Sequence, residues 1–247
     1  MPIARRTTVS SVLATAACLV LAMTVGIGGA DAAGTLISHA PNHKITHSTS
    51  TNWAGYAVTG GTYTRVTASW TQPAVNCSST AYSSFWVGLD GDGSNTVEQT
   101  GTEADCNGST PVYSAWYEMY PKYPTNYSNP VVPGDHFTST VSTDGRGNFT
   151  LTLSNTTRGW TQSVSKKLRG AALASAEIIA EAPSSRSGVL PLANFGTVSF
   201  TGAAVNGATL TSSTPGLDPI TMQSGSTVKA QPSGVSSGSF SVTWKHA

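Results

Sequence analysis

The feature that most constrains the fold is a repeated alternation of apolar and polar residues in short runs. Clear examples are Tyr63–Trp70, His136–Val141 and Phe149–Leu153. Successive side chains of an extended strand point to opposite faces, so a period of two is typical of half-buried strands. Turn-forming clusters such as Pro133-Gly134-Asp135 separate the runs, and no segment sustains a helical period over about twelve residues. The pattern predicts an all-β sandwich or barrel.

The N-terminus has the pattern of an export signal. Arg5 and Arg6 form a basic start, Val12–Ile27 is apolar, and Ala30-Asp31-Ala32 fits the small-x-small cleavage rule. The apolar run contains threonine and glycine and is shorter than the roughly 20 solid apolar residues that a membrane span needs. Residues 1–32 are therefore predicted to be a signal peptide, and the mature protein is expected to be secreted and free of the membrane.

The charge balance argues against nucleic acid as a partner. The chain has 13 basic and 12 acidic residues, and loss of Arg5, Arg6 and Asp31 with the signal leaves 11 of each. A neutral chain with sparse charges has no basic patch to attract phosphates. Nothing in the sequence indicates assembly, so a monomer is expected.

The segment after the signal is polar and contains three histidines. His39, His43 and His47 are spaced by four residues, which would align metal ligands on a helix. Pro41 interrupts that spacing, and no carboxylate accompanies it. Residues 33–50 are therefore predicted to be a flexible leader or short propeptide, and residues 51–247 to form one domain.

The cysteines indicate one disulfide bond. Cys18 is lost with the signal, and the remaining pair in an exported protein, Cys77 and Cys106, is expected to be oxidised. Closing this loop contributes about 3 kcal/mol on the chain-entropy model. Two cysteines also lack the spaced partners that zinc needs, so no metal site is predicted.

Two blocks place polar side chains inside strand-like apolar runs, where they cost stability unless paired or functional. One runs from Phe85 through Gly101, and the other is Ala176–Glu181. By alternation, Glu177 and Glu181 share a face, and the same rule groups aromatic and acidic residues on two other strands: Trp86 with Asp90, and Trp116 with Glu118 and Tyr120. An aromatic residue beside an acid on several strands describes the floor of a concave sheet that binds peptide or sugar.

Carboxylate chemistry is the remaining route to hydrolysis. The body of the domain contains one histidine, His136, apart from His246 near the end, and no Gly-x-Ser-x-Gly elbow. The disulfide removes both cysteines as nucleophiles. No cofactor is predicted.

Six segments, in this order, resemble the eqolisins, the glutamic endopeptidases. They cover nearly all of residues 51–200 and are Ser50–Tyr56, Trp86–Gly91, Gln99–Gly101, Ala115–Pro121, Ala176–Glu181 and Phe195–Phe200. The resemblance implies a β-sandwich of two antiparallel sheets, lectin-like, whose concave face forms the substrate cleft.

The resemblance also implies roles for individual residues. Gln99 matches the catalytic glutamine and Glu181 the catalytic glutamate, whereas Glu177 matches a non-catalytic position. Asp90 and Glu118 are expected to orient Glu181 and raise its pKa. The expected supporting and substrate-binding set is Trp53, Trp86, Asp90, Trp116, Glu118, Tyr120 and Glu177.

With the export signal, the resemblance implies a secreted acid endopeptidase that acts on polypeptides. Two alternatives stay open. One is a carbohydrate-binding sandwich with Trp86, Trp116 and Tyr120 as stacking platforms, without catalysis. The other is a glycoside hydrolase with Glu118 and Glu181 as its carboxylate pair. Gln99 discriminates among the three, because only the peptidase needs an amide beside Glu181.

Overall fold

The computed structural model describes residues 37–39 and 49–247, and these residues contain strands but no helix. The predicted signal peptide, His43 and His47 lie outside the described residues. The strands, in chain order, are β1 (Thr49–Ser50), β2 (Trp53–Thr59), β3 (Arg65–Thr71), β4 (Ser84–Leu89), β5 (Val97–Asn107), β6 (Thr110–Tyr120), β7 (Thr125–Asn126), β8 (His136–Thr143), β9 (Asn148–Asn155), β10 (Trp160–Lys167), β11 (Ser175–Glu181), β12 (Ser184–Ser185), β13 (Gly188–Val189), β14 (Thr197–Val205), β15 (Ala208–Thr209), β16 (Leu217–Ser224), β17 (Thr227–Pro232) and β18 (Phe240–Trp244). The all-β prediction is confirmed.

The strands form two layers that are joined by β16. One layer has the order β10-β9-β8-β3-β14-β18-β17, and the other β16-β2-β11-β4-β5-β6-β7. Strand β16 pairs with both β17 and β2, so the hydrogen-bonded ladder passes from one layer to the other. The pairs along this path are antiparallel, while β1 joins β16 in parallel. Strands β4 and β5 contact β8 across the layers, which makes the architecture a sandwich.

The main core lies between the two layers. It is filled by the inward-facing residues that the alternating runs predicted, among them Phe137, Leu151 and Leu153. A polar contact also crosses it, because the indole Nε1 of Trp70 donates to Thr102 Oγ1 at 3.0 Å. Burial of these large side chains, at about 25 cal/mol per Å² of apolar surface, supplies most of the driving force for folding.

The second face of the β16–β6 layer carries a separate aromatic cluster. Its buried members are Trp53, Ala57, Trp86, Val97, Trp116, Ile179 and Ile220, with Tyr120 packed at the margin. Trp53 meets Trp86 edge to face, with ring centroids 4.9 Å apart. The layer that contains β2, β11, β4, β5 and β6 therefore has two different faces. One face packs against the second layer, and the opposite face carries this aromatic cluster, which we call the aromatic floor.

The predicted disulfide is confirmed. Cys77 and Cys106 are joined across a separation of 29 residues, and Cys106 lies near the end of β5. The cross-link ties the strand that carries Gln99 to the loop that precedes β4. In the described ranges, no helix is long and apolar enough to cross a membrane.

Candidate active site

Glu181 is the last residue of β11, a strand buried along its whole length between β2 and β4. The neighbouring Ala180 packs in the main core, so alternation turns Glu181 toward the aromatic floor. Two close donors hold its carboxylate: Asn52 Nδ2 lies 3.0 Å from Oε1, and Trp86 Nε1 lies 2.7 Å from Oε2. The hydroxyl of Ser84 is a third and longer donor, 3.5 Å from Oε2. Hydrogen bonds to a charged carboxylate are strong, so these donors fix the orientation of the Glu181 side chain. A fixed orientation suits a group that must exchange a proton.

Gln99 is buried on β5, and Glu118 on the adjacent strand β6 fixes its amide. The two residues are paired in register, and Gln99 Nε2 donates to Glu118 Oε2 at 2.7 Å. This differs from the expectation that Glu118 orients Glu181. Its carboxylate accepts from Gln99, and the charge of Glu181 contributes to the raised pKa of Glu118.

Glycines make room for the floor beside Gln99. Gly101 is paired with Trp86, and a Cβ on Gly101 would lie 2.5 Å from the Cβ of Trp86 and 2.2 Å from the backbone oxygen of Phe85. A Cβ on Gly88 would lie 3.1 Å from the Cβ of Gln99. Because Gly88 and Gly101 have no Cβ, they leave room for the indole of Trp86, which donates to Glu181.

A short stretch of the chain itself, Ile37–His39, lies against the aromatic floor. Ser38 forms a two-way backbone bridge with Ser184, with N to O distances of 2.8 and 2.9 Å. His39 is fully buried, and its backbone oxygen accepts from Gln99 Nε2 at 2.6 Å. Its backbone N–H donates to Glu118 Oε2 at 3.1 Å. From the sequence, His39 is expected to lie in a flexible leader without contacts to the domain, so its burial here is a finding of the structure.

The imidazole of His39 fits between an aromatic face and two carboxylates. It stacks on Trp116 with ring centroids 3.8 Å apart and an interplanar angle of 9°. Nε2 lies 3.1 Å from Glu103 Oε1, and Nδ1 lies 3.5 Å from Glu181 Oε2. The hydroxyl of Ser84 is 3.2 Å from Nδ1.

Burial and charge move the pKa values in this group. Burial alone would lower the pKa of His39, but the hydrogen bonds and charges of Glu103 and Glu181 outweigh it and raise that pKa to about 10. Burial raises the pKa of Glu118 to about 7, and the charge of Glu181 adds to the effect. Burial also raises the pKa of Glu181, against the opposing influence of His39 and Trp86. His39 is thus protonated, and it lies beside two acids, Glu118 and Glu181, whose raised pKa values make them ionise less readily.

Strand register and side-chain contacts point to different glutamates as the partner of Gln99. Across β4, Gly88 pairs with both Gln99 and Glu177, whereas Ser84 pairs with both Glu103 and Glu181. The side chains change this grouping, since Gln99 and Glu181 both reach His39. The surroundings of Glu177 are instead Ser175, Asp90 and Asp92, at the opposite end of β11.

Asp90 lies away from Glu181. Strand β4 ends at Leu89, and Asp90 has a left-handed φ of 66°, so the alternation that grouped it with Trp86 stops one residue too early. Its carboxylate accepts from the backbone N–H groups of Leu173 and Ala174 at 2.9 and 2.8 Å. Asp90 therefore closes the loop before β11, in contrast to the expectation that it orients Glu181.

The two other acids of these blocks are buried without good partners. Glu98 faces the main core opposite Gln99, between Leu89 and Met119. Burial and the charge of Asp90 raise the pKa of Glu98 to about 8, and burial raises that of Glu177 well above its ordinary value. In the described part of the chain, their carboxyl oxygens make no hydrogen bond of good geometry.

Four residues of the site were not predicted as such: His39, Asn52, Ser84 and Glu103. Asn52 stands inside the first matched segment, and Glu103 continues the alternation from Gln99 through Gly101. These two had a signal that pattern reasoning can detect. Residues 37–39 and 49–247 contain no group of three or more histidine, cysteine or acidic side chains placed to hold a metal ion.

Comparison with known sequences finds a match over the whole sandwich. The sequence profile of the peptidase A4 family matches residues 51–244. Aspergillopepsin-2 of Aspergillus niger is 32% identical over 181 residues, which are 62% of this chain and 64% of that protein. Scytalidopepsin B of Scytalidium lignicola is 34% identical over 117 residues, 47% of this chain and 43% of that protein. The chain thus spans less than two thirds of the length of both relatives.

The fold matches a solved peptidase as well. The crystal structure of scytalido-glutamic peptidase with a transition state analog inhibitor superposes with a TM-score of 0.70 at 26% identity. The match covers 79% of this chain and 98% of that one.

Proposed function

Because the chain belongs to the peptidase A4 family, we propose that it is a secreted endopeptidase that hydrolyses polypeptides in acid solution. One observation carries the proposal. The amide of Gln99 and the carboxylate of Glu181 both reach the same peptide residue, His39, at 2.6 and 3.5 Å. An oxyanion donor and a proton acceptor converging on one residue of an extended peptide are the minimum equipment for amide hydrolysis.

Glu181 acts as the general base. Its carboxylate removes a proton from the water that attacks the scissile carbonyl, and it returns a proton to the leaving amine. Trp86 and Asn52 hold the two oxygens in place through both steps. Because burial raises the pKa of Glu181, its carboxylate is a stronger base toward the attacking water than an ordinary carboxylate.

Gln99 stabilises the oxyanion. Its Nε2 already donates to the carbonyl oxygen of His39, the type of atom that becomes negative during attack. Glu118 holds the other N–H of the same amide, so the donor is aimed before the substrate arrives. An amide stays neutral in acid, where an imidazole in this role would be charged.

The mode of peptide binding supports polypeptide substrates. Ser38 pairs with Ser184 as an added strand would, through backbone groups that every peptide carries. Secretion is supported by the export signal of residues 1–32 and by the Cys77–Cys106 bond, which is stable in an oxidising compartment.

The test compares two glutamates on one strand face. Full-length wild type, Glu181→Gln and Glu177→Gln are incubated with an unfolded protein between pH 2 and 7, and new peptide termini are counted. We expect Glu181→Gln to lose about 10³-fold in rate, since it removes the general base. Glu177→Gln is expected to keep most of the rate, because Glu177 lies at the far end of β11.

Other outcomes reject parts of the proposal. Undiminished hydrolysis by Glu181→Gln would eliminate the mechanism, and loss confined to Glu177→Gln would transfer the base role to Glu177, which the strand register aligns with Gln99. No hydrolysis at any pH, either by wild type or by His39→Ala, whose side chain no longer pairs with Glu181, would reject the activity. Thermal unfolding of each variant checks that the substitution left the fold intact.

A further inference from the structure

A pocket of about 530 Å³ lies where strands β1, β16 and β17 meet the β12–β13 hairpin. Its wall combines the apolar residues 189–191 and Ala247 with two hydroxyl-bearing residues, Thr51 and Ser224, and with Lys229. Ligand pockets in proteins typically measure about 300–1,000 Å³, so this one is large enough for one or two side chains. The proposed mechanism of hydrolysis makes no use of it.

Lys229 is the one charged side chain of this wall, and it has no counter-ion. The residue is only 7% exposed. Among residues 37–39 and 49–247, no carboxylate lies within ion-pair distance of its ammonium group. Burial lowers the pKa of Lys229, with no acid nearby to oppose that effect. A buried cation without a partner costs stability, so the pocket has an unsatisfied positive charge.

The backbone at Lys229 is irregular and firmly held. The pairing of β16 with β17 shifts register at this residue, which makes Lys229 the extra residue of a β-bulge. Its carbonyl oxygen accepts from the backbone N–H groups of Lys245 and His246, at 2.7 and 3.1 Å. Bulges occur often beside functional sites, where they turn a side chain in a new direction. The strand is thus fixed at the point that presents the ammonium group.

Two short connections place the pocket beside the Glu181 end of the aromatic floor. Thr51 of the wall precedes Asn52, whose Nδ2 lies 3.0 Å from Glu181 and whose carbonyl oxygen accepts from the N–H of Ala182 at 2.9 Å. Residues 189–191 begin at the end of β13, which pairs with β12, and β12 starts three residues after Glu181. A peptide that crosses the floor at Glu181 therefore passes the pocket.

We propose that this pocket is a subsite for a carboxylate of a bound peptide, with Lys229 as the counter-ion. A carboxylate supplies the negative charge that the wall lacks, and Ser224 adds a hydroxyl that can donate to it. Acidic side chains and the C-terminus of a peptide carry the same group, so both are candidate sources. The binding does not rest on the proposed function, whereas a resulting preference in hydrolysis does.

Other groups fit this pocket less well. A neutral amide or hydroxyl leaves the charge of Lys229 uncompensated, and a cation is repelled by it. A phosphate has more oxygens than the wall has donors, because the N–H of Leu190 is already bonded to the carbonyl oxygen of Pro183 and Pro191 has no N–H. One ammonium group with an apolar wall matches a single carboxylate on an aliphatic stem.

The binding experiment uses three small probes and NMR titration of the full chain at pH 5.5. Acetyl-Glu-amide carries a side-chain carboxylate, acetyl-Gln a C-terminal one, and acetyl-Gln-amide none. We expect at least one carboxylate probe to bind wild type at least about tenfold more tightly than the neutral probe, the gain of a charge-assisted contact. Lys229→Met should abolish this preference, whereas Lys245→Met, which removes an exposed lysine outside the wall, should preserve it.

Several results would overturn the subsite. Equal affinity of wild type for all three probes would do so, and this comparison does not depend on whether Lys229→Met folds. A preference that survives Lys229→Met, or tighter binding of inorganic phosphate than of both carboxylates, would also overturn it. Lys229→Arg keeps the charge and should retain part of the preference. Because Lys229→Met removes an unpaired buried charge, its Tm should not fall below that of wild type.

The preference in hydrolysis is tested by mapping the bonds that wild type, Lys229→Met and Lys245→Met cut in an unfolded protein at pH 3 and pH 5. At pH 5 wild type should favour an acidic residue, or the C-terminus, at one fixed distance from the cut bond. The preference should weaken at pH 3, where glutamate side chains with a pKa of about 4.3 are protonated, and should be absent in Lys229→Met. Cutting by wild type without such a preference would overturn a role of the pocket in substrate choice. Probe binding without any hydrolysis would reject the proposed function and leave the subsite standing.

Discussion

The two groups of buried acids on this sheet differ in how they are satisfied. At one end of the cleft, Glu118 and Glu181 have donors from other side chains, at 2.7 Å in each case. Glu177, toward the other end, and Glu98, on the opposite face of the sheet, are equally buried but make no good hydrogen bond within the described residues. Partnered acids can hold a charge when a reaction requires one. Unpartnered acids stay protonated, so they resemble amides in the interior.

The unpartnered acids should make the fold sensitive to alkali, and this gives the largest expected effect on stability. The pKa of Glu98 in the fold, about 8, lies above that of the unfolded chain, so the fold binds this proton more tightly. Its contribution is complete below the unfolded pKa and is lost as the pH rises toward 8 and beyond. Glu98→Gln should recover on the order of 3 kcal/mol of unfolding free energy at pH 9 relative to pH 4. Urea unfolding at both pH values measures it.

The control for that prediction is an exposed acid, Asp144→Asn. Hydrogen bonds from Asn148 and Arg146 lower the pKa of Asp144, so any effect of its charge appears when the pH falls. Its removal should leave the alkaline decline unchanged. An unaltered decline in Glu98→Gln would show that Glu98 does not have the raised pKa.

Removing a partner from Glu181 tests the other side of the comparison. Trp86→Phe keeps an aromatic ring in the floor but deletes the donor 2.7 Å from Oε2. Loss of this bond should raise the pKa of Glu181 further and move the acid limb of the pH–rate profile upward. Hydrolysis below the optimum should fall about tenfold, the effect of one charge-assisted bond.

Trp70→Phe is the matched control for this tryptophan. It also deletes an indole donor, but one that bonds Thr102 between the layers. That change should lower stability without moving the pH–rate profile. A shift of the same size in both variants would mean that Trp86 acts through the fold and not through Glu181.

Asp90→Asn gives the smallest expected effect and links the two groups. The carboxylate accepts two backbone N–H bonds from the 173–174 turn, and an asparagine oxygen can replace only one acceptor, at a cost of about 1 kcal/mol. Because the charge of Asp90 raises the pKa of both Glu98 and Glu177, the variant should also flatten the alkaline decline. A change in the pH–rate profile instead would return Asp90 to the role of orienting Glu181.

The sequence predicts the strands and faces well because alternation is a local property. Glu98 directly precedes Gln99, so alternation predicts that it lies on the opposite face, and the structure places it facing the main core. The disulfide followed equally simply from two cysteines. Asp90 was misplaced because the end of β4 is set by a left-handed turn residue, which a period of two does not reveal.

His39 lies beyond what a sequence pattern can predict. Its segment has no alternation, and Pro41 made the spacing of the histidines uninformative. Its place in the cleft depends on contacts with four distant strands, through Ser84, Glu103, Trp116 and Glu181. Such contacts follow from the folded surface and not from neighbours along the chain.

The bridge between Ser38 and Ser184 has a consequence for how the protein responds to dilution. A tethered ligand faces its site at an effective concentration on the order of millimolar, whatever the protein concentration. Diluting the protein therefore does not remove this segment from the aromatic floor. A competing peptide has to reach that concentration or bind correspondingly more tightly, unless the tether is cut, after which ordinary dilution clears the cleft.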